Sequence, residues 1–332
     1  MKNGFTIFSG TANRPLASAI AAELGVPLGA CAIDRYPDGE VSLQLLESVH
    51  RRDVYLVQPM APPVNDNLVE LLTLADACRR AAATRITAIV PYLAYARADK
   101  RHDRLEPITA RVVADLLQAV GIVHVIAMDL HTPQIEGFFY APTDTLTAVP
   151  PLCRALKDRL PSSSVVVSPD AGRAQLAARY GECLGLPVVM LHKRRESAAR
   201  THVTHVVGEV KNRPCVIIDD MIATGDTIAS SVAALLEGGA RPEFIVAATH
   251  GLFLEGAREK RDHAAIRSVF VTDTISLKQR NWAKLRVVPI APLIGGAIKR
   301  LVAGDSLRPP TRNASEPGGT EKTRSWKNAT LC

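Results

Sequence analysis

The chain has 332 residues, of which 47% are hydrophobic and 22% charged, and its formal net charge is +7. This length and composition leave room for two globular domains and exclude a disordered or fibrous protein, and no apolar run approaches the ~20 residues that cross a membrane. Because only 5% of the residues are aromatic, we predict no nucleic-acid partner, and a small polyanionic substrate accounts for the charge equally well.

The start of the chain and its cysteines predict a cytoplasmic protein. The first residues lead directly into a strand, without the apolar region of a signal peptide. The six cysteines are scattered and form no C-x-x-C pair. This spacing favours reduced, buried thiols over disulfides or a zinc site.

Strand-like and helix-like segments alternate along the first half of the chain. Apolar runs predict strands that begin at Phe5, Val41, Asp53, Ile86 and Val123. Helices are predicted between them, where apolar residues recur at helical spacing after Pro15, Asn65 and Pro107. Residues 34–40 have the composition of a turn.

Prolines at positions 142, 150 and 151 suggest a domain boundary, after which the alternation resumes. We therefore divide the chain into domains 1–148 and 149–306. Residues 307–332 are rich in Pro, Gly, Ser, Thr and charge, which predicts a disordered tail. The expected fold is α/β, with two mainly parallel sheets flanked by helices and with ligands bound at the carboxyl ends of the strands.

One segment of the second half combines a buried strand, two acids, a loop of small residues and a helix. Such a turn aims free backbone N–H groups and the helix dipole at one point, where a phosphate fits. Gly225 lets an anion approach the backbone, and Thr224 and Thr227 offer hydroxyl donors. Asp219 and Asp220 can accept hydrogen bonds from the hydroxyls of a phosphorylated sugar. We interpret the segment as a sugar-phosphate site.

A plainer interpretation of this segment is a strand-turn-helix whose acids cap the helix or pair with a base. Paired acids, two hydroxyls and a glycine in so short a stretch favour the phosphate site. Asp226 fits that site least, because a carboxylate repels an anion unless it faces away, as it would if it capped the helix.

Two groups of basic residues follow predicted strands. The sequence contains neither G-x-x-x-x-G-K-[ST] nor G-x-G-x-x-G, so a nucleotide would be held in another way. The second group, residues 193–195, either is solvated or closes over a transferring phosphoryl group. The first group is either a solvated loop or a clamp on a triphosphate, and it comprises Arg97, Lys100, Arg101 and Arg104.

His131 alone would more often be a structural histidine than a ligand. It follows a predicted strand beside Asp129, and Asp170 follows another strand. These positions favour a Mg²⁺ site, because Mg²⁺ needs only one or two protein ligands when phosphates supply the rest.

In their order, these segments resemble the ribose-phosphate pyrophosphokinases, also called phosphoribosyl-pyrophosphate synthetases. The loop after Asp219 also resembles the phosphoribosyl-pyrophosphate loop of type I phosphoribosyltransferases. The resemblance covers about residues 4–306, and the matching stretches are residues 35–40, 63–68, 91–97, 129–131, 134–139, 168–170, 193–195 and 219–227.

The resemblance implies transfer of pyrophosphate from MgATP to the 1-hydroxyl of ribose 5-phosphate. It implies that Lys193 and Arg195 act on the transferring group, and that His131 and Asp170 serve Mg²⁺. ATP would be held by Tyr36, which reaches the adenine of a neighbouring subunit, and by Asp38, Gly39, Glu40, Arg97 and the position of Ala98. Ribose 5-phosphate would be held by Arg195, Asp219, Asp220, Ala223, Thr224, Gly225, Asp226 and Thr227.

The resemblance also implies two similar domains of the type I phosphoribosyltransferase kind. The first, 1–148, would contact ATP, and the second, 149–306, would bind ribose 5-phosphate. The implied assembly is a homo-oligomer, a hexamer built from dimers, with ATP at a subunit boundary.

The chain departs from the usual pattern of this family at three places. Ala98 stands where a glutamine is usual, and Arg173 stands where a glycine is usual. Residues 47–52 and 304–310 differ from the usual regulatory segments, which puts inhibition by ADP and activation by phosphate in doubt. These departures leave open a non-catalytic regulatory homologue, and the shared loop leaves open a type I phosphoribosyltransferase.

Overall fold

The computed structural model describes residues 4–101, 105–195, 201–254, 262–277 and 282–307, and it describes only the backbone of residues 193–195 and 201–204. The predicted disordered tail, apart from Leu307, and the predicted clamp residue Arg104 lie outside the described residues. Within the described ranges, every helix is too short or too polar to span a bilayer.

The first half of the chain forms a five-stranded parallel sheet with strand order β1-β4-β5-β6-β7. The second and third strands stand apart as an antiparallel hairpin. In chain order the elements are β1 (Phe5–Ser9), α1 (Arg14–Glu23), β2 (Cys31–Arg35), β3 (Val41–Leu45), β4 (Asp53–Val57), α2 (Val64–Arg80), β5 (Arg85–Val90), α3 (Thr109–Ala119), β6 (His124–Met128) and β7 (Thr143–Leu146).

The second half forms a seven-stranded sheet with strand order β10-β9-β8-β11-β12-β13-β14. All neighbours in it are parallel except β9 and β10, which form an antiparallel pair. In chain order its elements are α4 (Val149–Lys157), β8 (Val165–Ser168), α5 (Ala174–Leu184), β9 (Val188–Arg195), β10 (Thr201–Val207), β11 (Cys215–Ile222), α6 (Asp226–Glu237), β12 (Phe244–Gly251), β13 (Ile266–Thr272), β14 (Leu285–Val288) and α7 (Ala291–Val302). The predicted α/β fold with two mainly parallel sheets is confirmed.

The central strands are mostly apolar, since both faces of each sheet are covered. Every residue of β12 is buried, for example. One core cluster contains side chains from both sheets and from α1 and α7. At Gly295 of α7 a Cβ atom would lie only 2.9 Å from Cβ of Glu23, so the glycine permits the close approach of α7 to α1. Our division of the chain at residue 148 stays a prediction.

The bounds of several elements differ from those that the sequence predicted. The strand that carries the acid pair continues past the acids to Ile222. Pro150 and Pro151 lie in the first turn of α4, where a missing N–H is tolerated. The helix expected to be capped by Asn65 begins one residue earlier, at Val64, and no side chain caps it. The helix expected to begin at Pro107 begins at Thr109.

Candidate active site

A cavity of about 930 Å³ lies at the carboxyl ends of strands from both sheets. His131 follows β6 of the first sheet, and Asp170 follows β8 of the second. The described residues that line the cavity on the side of the first sheet are Arg97, Asp99, Lys100, Glu106, His131 and Thr132. Those on the side of the second sheet are Asp170, Gly172, Arg173 and residues 219–228. The structure therefore brings together the predicted sugar-phosphate residues other than Arg195, both predicted metal ligands and Arg97.

The two acids at the end of β11 are buried, and His131 contacts one of them. Nδ1 of His131 lies 2.7 Å from Oδ2 of Asp220. Two acceptors at this distance would repel each other, so Nδ1 carries the proton and donates it to the carboxylate. This hydrogen bond joins residues from the two halves of the chain at the floor of the cavity.

The guanidinium of Arg173 lies between His131 and the acid pair. Its Nε is 3.3 Å from Oδ1 of Asp219, and its Nη2 is 3.1 Å from Oδ2 of Asp220. Nη1 donates to the backbone carbonyl of His131 at 2.9 Å. Nη2 also lies 2.8 Å from Nδ1 of His131, but a nitrogen that donates to Asp220 cannot accept, so we assign this N–H to the carboxylate.

The surroundings shift the pKa values of the two carboxyl groups in opposite directions. Burial raises the pKa of Asp219 well above its ordinary value, and the negative charge of Asp220 adds to the shift. Burial also acts to raise the pKa of Asp220, but the hydrogen bond from His131 and the charge of Arg173 outweigh it and lower that pKa to about 2. Asp220 is therefore the acid that keeps its charge.

The loop between β11 and α6 has the geometry that an anion site needs. Gly225 has a φ of 84°, a backbone conformation that favours glycine, and α6 begins immediately after it. The N–H groups in the first turn of a helix have no intrahelical acceptors and attract anions. The carboxylate of Asp226 accepts a hydrogen bond of 2.6 Å from the hydroxyl of Thr224.

The plainer interpretation is that the two acids cap the helix or pair with a base, and only the second of these is seen. No side chain caps α6 at Gly225, so neither Asp219 nor Asp220 caps this helix. Both acids do pair with a base, which is Arg173.

The oxygen ligands that a hard divalent cation prefers are present in the cavity. Asp170 lines it, and its Oδ1 accepts the backbone N–H of Arg173 at 3.2 Å. His131 can offer only Nε2, which lies 3.3 Å from Nη2 of Arg173. These residues fit a cation at Asp170, and they fit one at His131 only after the guanidinium has moved away. Within the described ranges, no three His, Cys, Asp or Glu residues form a group that could hold a metal ion.

Comparison with known proteins identifies the family. Residues 5–121 match the N-terminal domain of ribose phosphate pyrophosphokinase, and residues 198–309 match the phosphoribosyl synthetase-associated domain. A ribose-phosphate pyrophosphokinase from Thermotoga maritima is 41% identical over 302 residues, which cover 90% of this chain and 95% of that protein. This chain belongs to the ribose-phosphate pyrophosphokinase family. A relative of the same name from Aquifex aeolicus is 40% identical, and the match covers 92% of this chain and 98% of that protein.

The fold of this pyrophosphokinase family member is shared with a solved structure. The phosphoribosylpyrophosphate synthetase from Mycobacterium smegmatis has a TM-score of 0.84 and 38% identity, and the match covers 90% of this chain and 99% of that chain. The family predicted from the sequence is thereby confirmed.

The residues predicted to hold ATP do not all lie at the cavity. Arg97 lines it, whereas the hairpin turn with Tyr36, Asp38, Gly39 and Glu40 lies outside the described lining. The turn is exposed, and its backbone is closed by the N–H of Tyr36, which donates to the carbonyl of Glu40 at 2.9 Å. Ala98 is also outside the lining.

The second basic group lies at the end of an antiparallel pair of strands. Lys193 and Arg195 are the sixth and eighth residues of β9, opposite Val203 and Thr201 of β10. Their side chains lie outside the described part of the structure. Their roles in the reaction stay predictions.

The sequence did not indicate several residues of the cavity. Thr132 donates to a carboxylate oxygen of Asp99 at 2.7 Å, which joins the segments after β5 and β6. Both residues are direct neighbours of predicted site segments, and this proximity was the signal that could have revealed them. Arg173 was noticed only as a departure from the family.

Proposed function

We propose that this enzyme transfers pyrophosphate from MgATP to the 1-hydroxyl of ribose 5-phosphate and forms phosphoribosyl pyrophosphate and AMP. The observation that carries this proposal is the identity of about 40% with ribose-phosphate pyrophosphokinases along 90% of the chain. The arrangement of an acid pair, an anion loop and a basic side chain in one cavity supports it. The enzyme would thus be a transferase and kinase of nucleotide biosynthesis.

In the proposed reaction the oxygen of the 1-hydroxyl attacks the β-phosphorus of ATP. A bond forms between them, the bond from the β-phosphorus to the bridging oxygen breaks, AMP leaves with that oxygen, and the hydroxyl releases its proton. Such a transfer needs alignment of the two substrates and neutralisation of charge more than a covalent intermediate.

The loop after β11 would bind the sugar phosphate. The N–H groups and hydroxyls of residues 223–227 would hold the phosphate, and Asp219 and Asp220 would accept from the sugar hydroxyls. Lys193 and Arg195, at the end of β9, would stabilise the charge that grows on the transferring group. Because Asp220 keeps its charge, it is the stronger acceptor of the pair.

The nucleotide would lie towards the first half of the chain. Arg97 would contact its phosphates, next to the position of Ala98. Asp38, Gly39 and Glu40 would also hold ATP, at a subunit boundary, and Tyr36 would reach the adenine of a neighbouring subunit. The exposed position of the hairpin turn, outside the described lining of the cavity, supports a site that is shared between subunits.

Mg²⁺ is the cation that we propose, with Asp170 and His131 as its protein ligands. When bound, it would neutralise charge on the phosphates and orient them. We further propose a cytoplasmic homo-oligomer, a hexamer built from dimers, in which residues 1–148 contact ATP and residues 149–306 bind ribose 5-phosphate. The described cysteines are all free, which agrees with a reducing compartment.

Product analysis tests the proposal. Purified protein with ATP, Mg²⁺ and ribose 5-phosphate should form AMP and phosphoribosyl pyrophosphate in equal amounts, as measured by ³¹P NMR. A matched reaction with the α,β-methylene analogue of ATP should form neither, because the bond that breaks is absent. If neither product forms with ATP at any phosphate level and with any of Mg²⁺, Mn²⁺ and Co²⁺, the proposal is wrong.

One observation favours a second candidate, a regulatory homologue without turnover. Arg173 pairs with both acids that would hold the sugar, so the substrates have to compete with it. Binding of both substrates without product, together with co-assembly with an active synthetase, would select this candidate. Release of pyrophosphate from phosphoribosyl pyrophosphate with a purine base would instead indicate a type I phosphoribosyltransferase.

A further inference from the structure

Arg173 is a charged side chain of the cavity that the proposed reaction does not use. It ends a short 3-10 turn, Ala171–Arg173, and its backbone N–H donates to Asp170. Only 14% of the side chain is exposed, so the guanidinium has left most of its water. A charge in such a position requires a partner of opposite charge, and the carboxylate of Asp220 supplies it.

The guanidinium fills the space in which a divalent metal ion would bind the acid pair. It lies within 3.3 Å of Asp219, Asp220 and both ring nitrogens of His131. A divalent cation bound to the carboxylate of Asp220 would need the space that the guanidinium fills and would meet a positive charge there. Arg173 and such a cation therefore exclude each other by space and by charge.

We propose that Arg173 takes the place of a divalent metal ion at the carboxylate of Asp220 in the substrate-free protein. Its guanidinium holds the acid pair in place and keeps free divalent cations out. The cation that the enzyme uses then enters with the nucleotide and binds at Asp170, and at His131 once the guanidinium has moved away. Only the entry of the cation with the nucleotide rests on the proposed function.

Binding of free Mn²⁺ to the nucleotide-free protein tests the inference without any turnover. The free ion has an electron paramagnetic resonance signal that disappears on binding, so its dissociation constant can be measured directly. Arg173→Ala should tighten Mn²⁺ binding roughly tenfold or more, because one positive charge next to the carboxylate of Asp220 is removed. Arg173→Gln should do the same while it keeps hydrogen-bond donors for the acids, so the result does not depend on a single variant that has to fold.

The matched control is Arg179→Ala. Arg179 is an exposed arginine of α5, outside the described lining of the cavity, and its removal changes the net charge equally. It should leave Mn²⁺ binding unchanged. In the Arg173→Ala background, a further change of Asp220→Asn should abolish the gain, since the cation would lose its charged oxygen ligand.

Two results would overturn the inference. One is Mn²⁺ affinity in both Arg173 variants that equals the wild-type affinity. The other is an equal gain in Arg179→Ala, which would make the effect one of net charge. A gain confined to the Arg173 variants in a protein that makes no phosphoribosyl pyrophosphate would support the inference and contradict the proposed function, so the two can fail separately.

Discussion

The hydroxyl of Thr249 in β12 donates a hydrogen bond of 2.6 Å to the carboxylate of Asp129, across 120 positions of the chain. The same carboxylate oxygen accepts the backbone N–H of Ala148 at 2.8 Å. Asp129 directly follows β6 of the first sheet, so one buried side chain joins both sheets and the segment that leads into α4. Asp129 therefore has a structural role beside the candidate site.

Removal of this hydroxyl should destabilise the protein. Thr249→Val keeps the shape of the side chain but removes a hydrogen bond to the buried carboxylate of Asp129. We therefore expect the free energy of unfolding to fall by about 1–3 kcal/mol. Urea denaturation at fixed protein concentration measures it. The control is Thr73→Val, whose exposed hydroxyl bonds within α2 and should change stability by less than about 0.5 kcal/mol. Equal losses in both variants would contradict the role of Thr249.

Two glycines have nearly the same backbone conformation, and a comparison of their alanine variants distinguishes an effect on ribose 5-phosphate binding from an effect on stability. Gly225 has a φ of 84° and Gly239 a φ of 81°, but only Gly225 lies in the loop after β11. A change to alanine at either position should cost about 1–2 kcal/mol of stability. Only Gly225→Ala should also weaken ribose 5-phosphate binding by about tenfold or more, as measured by calorimetry, because the N–H groups of the loop move. Equal affinities in the two variants would exclude this loop as the phosphate site.

Lys193 is predicted to act on the transferring group rather than on bound ATP. Lys193→Ala should therefore lower kcat by roughly 10²–10³-fold while the Kd for ATP changes little, since the interaction is made mainly in the transition state. Rapid-quench kinetics and calorimetry measure the two quantities. Lys211→Ala removes an exposed lysine outside the described lining of the cavity and should change neither. An unaltered kcat in Lys193→Ala would remove this residue from its role.

His250 should make the fold sensitive to acid. Burial lowers its pKa from the ordinary value of 6.5. Below about pH 6.5 the unfolded chain takes up a proton that the folded chain does not, so stability present at pH 7.5 is lost as the pH falls. The Tm should fall between pH 7.5 and 5.5, and it should fall less in His250→Gln, which no longer titrates. The same fall in both proteins would assign the acid sensitivity to other groups.

The local pattern of the sequence predicted those features that depend on neighbouring residues. The apolar run up to Asp219 and the helical spacing from Ile228 predicted β11, the loop and α6, and Gly225 has the positive φ that its role requires. The edge strands β7 and β10 were not predicted. β7 has four residues, all of them only partly buried, so it lacks the apolar run of a central strand.

Contacts between distant parts of the chain could not be predicted from such patterns. Arg173 was recognised as an unusual residue, but its pairing with the acids depends on how β8 lies next to β11. The bond between Asp129 and Thr249 depends in the same way on the packing of one sheet against the other. The roles of Lys193 and Arg195 rest on the family resemblance.

The packing of α1 against α7 has a consequence for biosynthesis. The apolar face of α1, with Leu16 and Ile20, shares a core cluster with Ile294 and Ile298 of α7. A growing polypeptide makes α1 early and α7 late, so the part of this face that α7 covers stays exposed to water until almost the whole chain has left the ribosome. A chain truncated before α7 would keep this apolar surface exposed and would aggregate.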